Sequence, residues 1–389
     1  MAGYIFSLGN LEALGLYTQH GVYATKMTVP SGYWRTHHEG TFADYATMQE
    51  GDNVYFFINR KVYGIGKLVN LETDCKFLNF PGAGEPREFP YPTVKPSLLW
   101  DEDSIAAQDE YRYDQRCLCV FEPDPSFFTQ GVDIDDVLSS NPDAFKMLRA
   151  FWKLSFIKFG DDENQAFRDI ILKRNQEALS NPEAGGAVSQ FNPCHNDISG
   201  RLSPEHHLST GVSALLSSCA DGDRLRHEMA IEAGILHQLS AQDPETCAVF
   251  GQWDYLSHQV IASPFKPIDY MDKMDLFGYA YVPGFRPTKL RFLVGELKAG
   301  AATLQDVDQL MKYVDWVKDE YCFGDYSMIS AYLVTHSFDE EIVQHKQSVG
   351  LRKYTVGVRP AQSLEWNNLS LVRYSFNHTA GQLEFTVVR

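Results

Sequence analysis

The segment that most constrains the fold is an apolar strand that ends in two charges, "KLRFLVGELKAG" at residues 289–300. Its consecutive apolar residues 292–294 predict a strand that is buried inside a sheet. Successive side chains of a strand point to opposite faces, so Glu296 and Lys298 share one face. Because unpaired buried charge is costly, either the strand reaches solvent here or the pair is held at the sheet for chemistry.

The length and composition predict a soluble protein of two domains. A chain of 389 residues exceeds the size at which a single hydrophobic core stops growing. The longest apolar runs are too short to cross a bilayer, and the first residues lack the pattern of a signal peptide, so we expect a cytoplasmic protein without membrane contacts. The seven cysteines form no Cys-x-x-Cys pair, which argues against a disulfide framework or a zinc site.

The net charge of −17 argues against a protein that coats nucleic acid through a broad basic surface. It leaves room for a nuclease. An enzyme that gathers carboxylates around a divalent metal ion is acidic at its site, and a confined basic groove is sufficient to hold a nucleic-acid backbone.

Changes in composition along the chain predict four segments. Residues 1–128 are rich in aromatic and β-branched residues, and "GDNVYFFINRKVYGIGKLVNL" predicts two strands joined by a polar turn around Asn59, Arg60 and Lys61. We expect a β-rich barrel there, followed by a helical extension at 129–179. Residues 180–210 are rich in Pro, Gly, Ser and Asn and predict a linker. The second domain is expected at 211–389.

The second domain has the predicted order helix, two strands, helix and strand. The corresponding stretches are "DRLRHEMAIEAGILHQLS" at 223–240, "FKPIDYMDKMDLFGYAYV" at 265–282, the strand at 289–300, "TLQDVDQLMKYVDWVKDEY" at 303–321 and "SMISAYLVTHS" at 327–337. On the first helix Glu232 falls in the gap of an apolar stripe that includes Leu225, Met229 and Leu236. A carboxylate at a core-facing helical position indicates a functional role, because burying it unpaired is costly. Glu228, one turn earlier, is the weaker candidate.

This order resembles the PD-(D/E)xK nuclease superfamily. The run "VGELKAGAATLQDVDQLMKYVDWV" is similar to the C-terminal nuclease of the NucS type and to Shedu-like phage-defence nucleases, and the resemblance covers about residues 211–340. It implies an α/β domain of the restriction-endonuclease-like type. It also implies a Mg²⁺ or Mn²⁺ ion held by Asp275, Glu296, the Leu297 carbonyl and Glu232, with Lys298 at the attacking water and with Gln309 and Tyr313 as supports on the next helix.

The first of the two strand acids has competitors. Asp269 and Asp272 lie on the same predicted strand, and Met274 stands where the family has proline before the acid. We favour Asp275 because "MDLFGY" most resembles an acid followed by the apolar centre of a strand.

The amino-terminal domain resembles the PUA-like barrels of the EVE, ASCH and YTH group. The similarity covers about residues 1–125 and rests on Gly-Asp before "VYFF" and on the following "YGIG". It implies a pocket for a flipped, modified base, lined by aromatic residues that stack on it. The candidate pocket residues are Tyr33, Trp34, Arg35, Phe42 and Tyr45, with His37 and His38 as further partners. Alternatively, these aromatic residues belong to the barrel core.

Together these features predict a metal-dependent DNA endonuclease with an N-terminal base reader, acting in modification-dependent restriction or antiphage defence. Its expected partners are DNA, with modified phage DNA as the candidate substrate, and a second copy of the chain. Two alternatives stay open: a repair or RNA-directed nuclease, and a non-catalytic reader of modified nucleic acid.

Overall fold

A computed structural model describes residues 2–26, 42–78, 115–145, 156–181, 190–200, 209–210, 212–262 and 272–388. The described residues divide into two compact units, the first ending at Ser218 and the second beginning at Cys219. This boundary lies beyond residue 210, where the predicted linker ends. Both units combine helices with sheet, so the chain is a mixed α/β protein.

The first unit contains short strands around one long strand. Its strands are β1 (Gly3–Ser7), β2 (Val22–Lys26), β3 (Asn53–Ile58), β4 (Lys61–Leu68), β5 (Lys76–Leu78), β6 (Gln115–Asp133), β7 (Phe156–Phe159) and β8 (Ser209–Thr210). Its helices include α1 (Leu11–His20), α2 (Ile134–Ser140), α3 (Asp161–Arg174), α4 (Gln176–Ser180), α5 (His195–Gly200) and α6 (Ser213–Cys219), which reaches the boundary.

The strands of this unit pair in the order β7-β1-β3-β4-β6-β5-β8, and β2 also pairs with β6. The C-terminal part of β6 pairs with β4, and its N-terminal part pairs with β2 and β5. One 19-residue strand therefore serves both halves of a curled sheet. The predicted turn between β3 and β4 is confirmed: Asn59 and Arg60 have positive φ angles of 48° and 67°, as a two-residue hairpin turn requires.

The segment predicted as a helical extension, 129–179, is only partly helical. It contains the end of β6 and the strand β7, which pairs antiparallel with β1. The helix α3 lies in this segment and begins with three acidic residues, which interact favourably with the positive end of the helix dipole. Its buried side chains Phe167 and Ile171 join the apolar core of the sheet.

The second unit is built around one mixed sheet. Its strands are β9 (Ala220–Asp221), β10 (Arg224–Leu225), β11 (Tyr255–Ser257), β12 (Val260–Ile261), β13 (Lys273–Met274), β14 (Leu276–Tyr281), β15 (Lys289–Ala301), β16 (Ile329–Ser337), β17 (Arg352–Val356), β18 (Gln362–Trp366), β19 (Leu369–Asn377) and β20 (Gln382–Val388). Its helices include α7 (Glu228–Ser240), α8 (Pro244–Phe250), α9 (Leu304–Glu320), α10 (Glu340–Val349) and a 3-10 turn (Tyr326–Met328).

The main sheet has the order β11-β14-β15-β16-β19-β20. The predicted apolar strand is β15, which is antiparallel to β14 and parallel to β16. Its residues Phe292 and Val294 belong to the same apolar core as Leu310 and Val314 of α9. Glu296 and Lys298 follow on that face of the strand because side chains alternate. The burial of β15 thus sets both charges next to a helix-covered core.

The first helix of this unit begins later than the sequence pattern indicated. Leu225, a member of the predicted helical stripe, lies in β10, which forms a hairpin with β9. The helix α7 begins at Glu228 after His227, and nearly all of its residues through Leu239 are buried. A helix that is buried on every side has no polar face by which its start can be located from sequence.

Candidate active site at the central strand

The site is built where β14 begins beside the charged end of β15. The antiparallel register pairs Leu276 with Gly295, and continuing it by one residue places Asp275 opposite Glu296. The Asp275 carboxylate accepts a hydrogen bond from the Leu297 N–H at 2.9 Å. It also accepts one from the Gln259 side chain at 3.2 Å. Asp275 is therefore held against the strand that carries the other acid.

Glu296 is a buried carboxylate that is only half satisfied. Its side chain is 2% exposed, and its Oε1 accepts a hydrogen bond from Lys298 Nζ at 2.7 Å. Its Oε2 is buried and has no hydrogen-bond partner among the described residues. Leaving a buried carboxylate oxygen without a donor costs free energy, so this atom is suited to coordinate a cation.

Burial destabilises the charged form of both acids. Burial, and then the charge of Asp275, raises the pKa of Glu296 to about 8. Burial also raises the pKa of Asp275 to about 6, although the hydrogen bond from Leu297 and the charge of Lys298 act to lower it. A divalent cation between the acids would favour the ionised form of both.

Lys298 is surrounded by carboxylates. Besides Glu296, its Nζ lies 3.9 Å from Glu228 Oε1 and 4.0 Å from Asp306 Oδ1. Although burial acts to lower the pKa of Lys298, the charge and hydrogen bond of Glu296 hold that pKa above its usual range. The amine therefore stays protonated at neutral pH, which suits it to neutralise negative charge rather than to accept a proton.

The helix α9 covers the site with Gln309 and Tyr313. The Gln309 side-chain amide donates a short hydrogen bond to the Tyr313 hydroxyl. Burial, and then the charge of Glu296, raises the pKa of Tyr313 well above its usual range, so the phenol stays neutral near the acids. The structure thus brings the predicted supporting pair to the candidate site.

The start of α9 adds an acid that the sequence analysis did not single out. Asp306 Oδ2 accepts hydrogen bonds from the Thr303 N–H at 2.7 Å and from its hydroxyl at 2.8 Å. This is a capping box. The Thr-x-x-Asp spacing in the sequence is a signal for the cap, and the cap holds Asp306 beside Lys298.

The two acids of helix α7 have different surroundings. Glu228 is half exposed and faces Lys298. Glu232 is buried, and its Oε1 lies 2.6 Å from Nδ1 of His258, whose side chain is also buried. The structure therefore gives Glu228, rather than the favoured Glu232, the position beside Lys298. Neither His258 nor the adjacent Gln259 carries a sequence signal that identifies it.

The site offers only a few candidate ligands for a metal ion. Across the described residues no group of three or more His, Cys, Asp or Glu side chains is arranged to hold a metal ion. Asp275, Glu296 and the Leu297 carbonyl are candidate oxygen ligands, while the fourth predicted ligand, Glu232, faces His258. This set suits Mg²⁺, which keeps several waters when one or two carboxylates bind it. Of the competing acids, Asp269 lies outside the described residues, while Asp272 precedes β13.

Two of the candidate base-pocket residues, Phe42 and Tyr45, lie in the described part of the chain. Tyr33, Trp34 and Arg35 lie outside the described residues. Phe42 and Tyr45 are 1% and 2% exposed, and their rings contact each other edge to face. These two aromatic residues therefore lie in the interior of the first unit, which is the alternative that the sequence left open.

No helix within the described part of the chain has the length and apolar character needed to span a membrane.

Comparisons with known proteins give limited similarity. No protein-family model matches the chain, and no curated protein matches it. A complex of EndoMS with dsDNA is 26% identical over 22% of this chain and 30% of that one, with a TM-score of 0.17. A repair endonuclease from Pyrococcus abyssi is 25% identical over 34% of this chain and 46% of that one, with a TM-score of 0.21. The chain thus spans less than half of either protein, and TM-scores this low do not establish a shared fold.

Proposed function

We propose that the second unit is a Mg²⁺- or Mn²⁺-dependent DNA endonuclease domain of the PD-(D/E)xK type. The observation that carries the proposal is the unsatisfied Oε2 of Glu296, a buried atom next to a second acid, Asp275, and a protonated Lys298. Two buried acids beside each other reduce stability. Cation binding and phosphate chemistry supply a reason to keep them.

Asp275, Glu296 and the Leu297 carbonyl would hold the metal ion. When bound, such an ion polarises a phosphate oxygen and lowers the pKa of a coordinated water. The Gln259 amide and the Leu297 N–H orient the Asp275 carboxylate. Lys298 neutralises the charge that gathers on the phosphate during hydrolysis.

For the first unit we propose a PUA-like domain that binds a modified base. Cleavage by the nuclease would then depend on DNA modification, as in restriction or antiphage defence. The support comes from the sequence: Tyr33 and Trp34 stand beside the cationic Arg35 and two histidines in "YWRTHH". Aromatic and cationic residues so close together suit stacking on a base and contact with a phosphate. We also propose that two copies of the chain form a homodimer that cuts both strands. The molecular mass of the protein in solution tests this dimer.

The test is incubation of the full chain with differently modified phage DNAs, in Mg²⁺ or in EDTA. We expect cleavage in Mg²⁺, none in EDTA, and a preference among the modified DNAs. The Glu296→Gln variant serves as the matched control because it keeps the shape of the side chain and removes its charge. Equal cleavage by this variant would refute the assigned site.

The same reaction with RNA and with mismatched DNA separates the alternative functions. Cleavage of either substrate without a preference for modified DNA favours an RNA-directed or repair nuclease. Binding of modified nucleic acid without any cleavage favours a non-catalytic reader. The nearby Asp275, Glu296 and Lys298 argue against that last alternative, because a scaffold has no need of two adjacent buried acids.

A further inference from the structure

Directly after Lys298 the central strand contains a β-bulge. Lys298 pairs with Thr335 of β16, but the next pair is Ala301 with Ser337, so β15 has one extra residue in this interval. A bulge bends its strand and changes the direction of neighbouring side chains, and bulges are frequent next to active sites. The geometry of the bulge therefore bears on where the Lys298 amine points.

Two buried hydroxyl groups hold the bulge. The Tyr374 hydroxyl donates to the Ala299 carbonyl at 2.8 Å. The Thr335 hydroxyl donates a short hydrogen bond to the Gly300 carbonyl. Both side chains are fully buried on neighbouring strands of the same sheet, β19 and β16. The two bulge carbonyls that follow Lys298 are thus fixed by side chains.

The Tyr374 hydroxyl also reaches the segment that leads into helix α7. It accepts a hydrogen bond from the Leu225 N–H at 3.3 Å and lies 3.4 Å from the Leu225 carbonyl. Leu225 ends β10, three residues before Glu228 begins the helix. One phenol thus connects the strand that carries Lys298 with the segment that carries Glu228, whose charged groups lie 3.9 Å apart.

We propose that Tyr374 and Thr335 are positioning residues that clamp the bulge and so set the direction of Lys298 toward Glu296 and Glu228. The proposal rests on the proposed nuclease function. Neither residue touches the reacting atoms, and both act through the backbone of Ala299 and Gly300. Positioning of this kind affects the rate strongly, because a catalytic group that moves by about 1 Å can lose about 100-fold in rate.

The test compares isosteric variants of the full chain. We expect Tyr374→Phe and Thr335→Val to lower kcat for Mg²⁺-dependent DNA cleavage by about tenfold or more, with the Kd for DNA changed by less than about twofold. Thr335→Ser, which keeps the hydroxyl, should restore the rate. Tyr332→Phe is the matched control. Tyr332 lies in β16 of the same sheet, and its hydroxyl donates to the Phe250 carbonyl at 3.3 Å instead of to the bulge.

Amide hydrogen exchange of a peptide covering residues 298–301 gives a readout that does not depend on activity. Exchange should accelerate in Tyr374→Phe and Thr335→Val and stay unchanged in Tyr332→Phe. Unchanged exchange in the first two variants would overturn the proposal. It would also be overturned if Tyr332→Phe lost as much rate as those two variants, or if their loss of rate came with an equal loss of DNA affinity. A wild-type protein that does not cleave would refute the nuclease function instead, and the exchange measurement would still decide whether the clamp exists.

Discussion

The Lys298 amine lies 2.7 Å from Glu296 Oε1, while the second oxygen of that carboxylate is buried without a partner in the described part of the chain. The lysine thus neutralises one oxygen of the acid and leaves the other without a donor. A purely structural ion pair would satisfy both oxygens, because an unsatisfied buried oxygen reduces stability. The asymmetry of this pair is the basis of the predictions for the site.

Replacing either member of the pair should abolish Mg²⁺-dependent cleavage. In the proposed site Glu296→Ala removes a metal ligand and Lys298→Ala removes the charge that would face the phosphate, so we expect at least about a 100-fold loss of rate in each. Folding should stay nearly intact, which thermal unfolding can check. Cleavage at the wild-type rate by either purified variant contradicts the assignment.

The stability of the metal-free protein should fall as the pH rises. Asp275 and Glu296 have higher pKa values in the folded than in the unfolded chain, so the native state holds more protons between about pH 4 and pH 8, and the free energy of unfolding decreases across that interval. Mg²⁺ favours the ionised acids and should flatten this dependence. Urea unfolding at several pH values, in EDTA and in Mg²⁺, measures it. If Glu296→Gln shows the same slope as the wild type in EDTA, the two acids are not its cause.

The two acids of helix α7 should respond differently to mutation. Glu232→Ala removes the carboxylate that faces buried His258 and should cost about 1–3 kcal/mol of stability. Glu228→Ala affects a half-exposed side chain and should change stability by less than about 1 kcal/mol while it slows cleavage. Chemical denaturation together with cleavage rates separates the two effects. A large loss of stability for Glu228→Ala with unchanged cleavage would reverse this assignment.

In the first unit Trp34→Ala should weaken binding of the preferred DNA by about 1–3 kcal/mol, the contribution of one stacked base. Because the proposed catalytic acids belong to the other unit, cleavage of unmodified DNA should persist while discrimination between DNAs is lost. Fluorescence anisotropy with modified and unmodified DNA measures the difference. Phe42→Ala is the control for a core aromatic residue: it should cost about 3–5 kcal/mol of stability instead. Equal DNA affinity of Trp34→Ala and the wild type rejects the pocket.

The local features of this protein follow from its sequence. Side chains alternate along a strand with a period of two, so residues 296 and 298 had to share a face wherever the strand lay. The helix over Leu304–Glu320 follows from its apolar stripe and its Thr-x-x-Asp cap. The turn at Asn59 was predictable because turn chemistry depends on neighbouring residues alone.

The partners across the site were decided by the tertiary structure. That Asp275 stands opposite Glu296 depends on the register of two strands, and a shift of one residue would turn the acid to the other face. The preference for Glu228 over Glu232 depends on where helix α7 begins and on His258, which is distant in sequence. The contact of Tyr374 with Ala299 joins residues 75 positions apart. Local periodicity determines which face of a strand or helix a side chain occupies. Which residues contact that side chain is determined only by the packing of distant segments, because those contacts arise from burial and strand register in the folded chain.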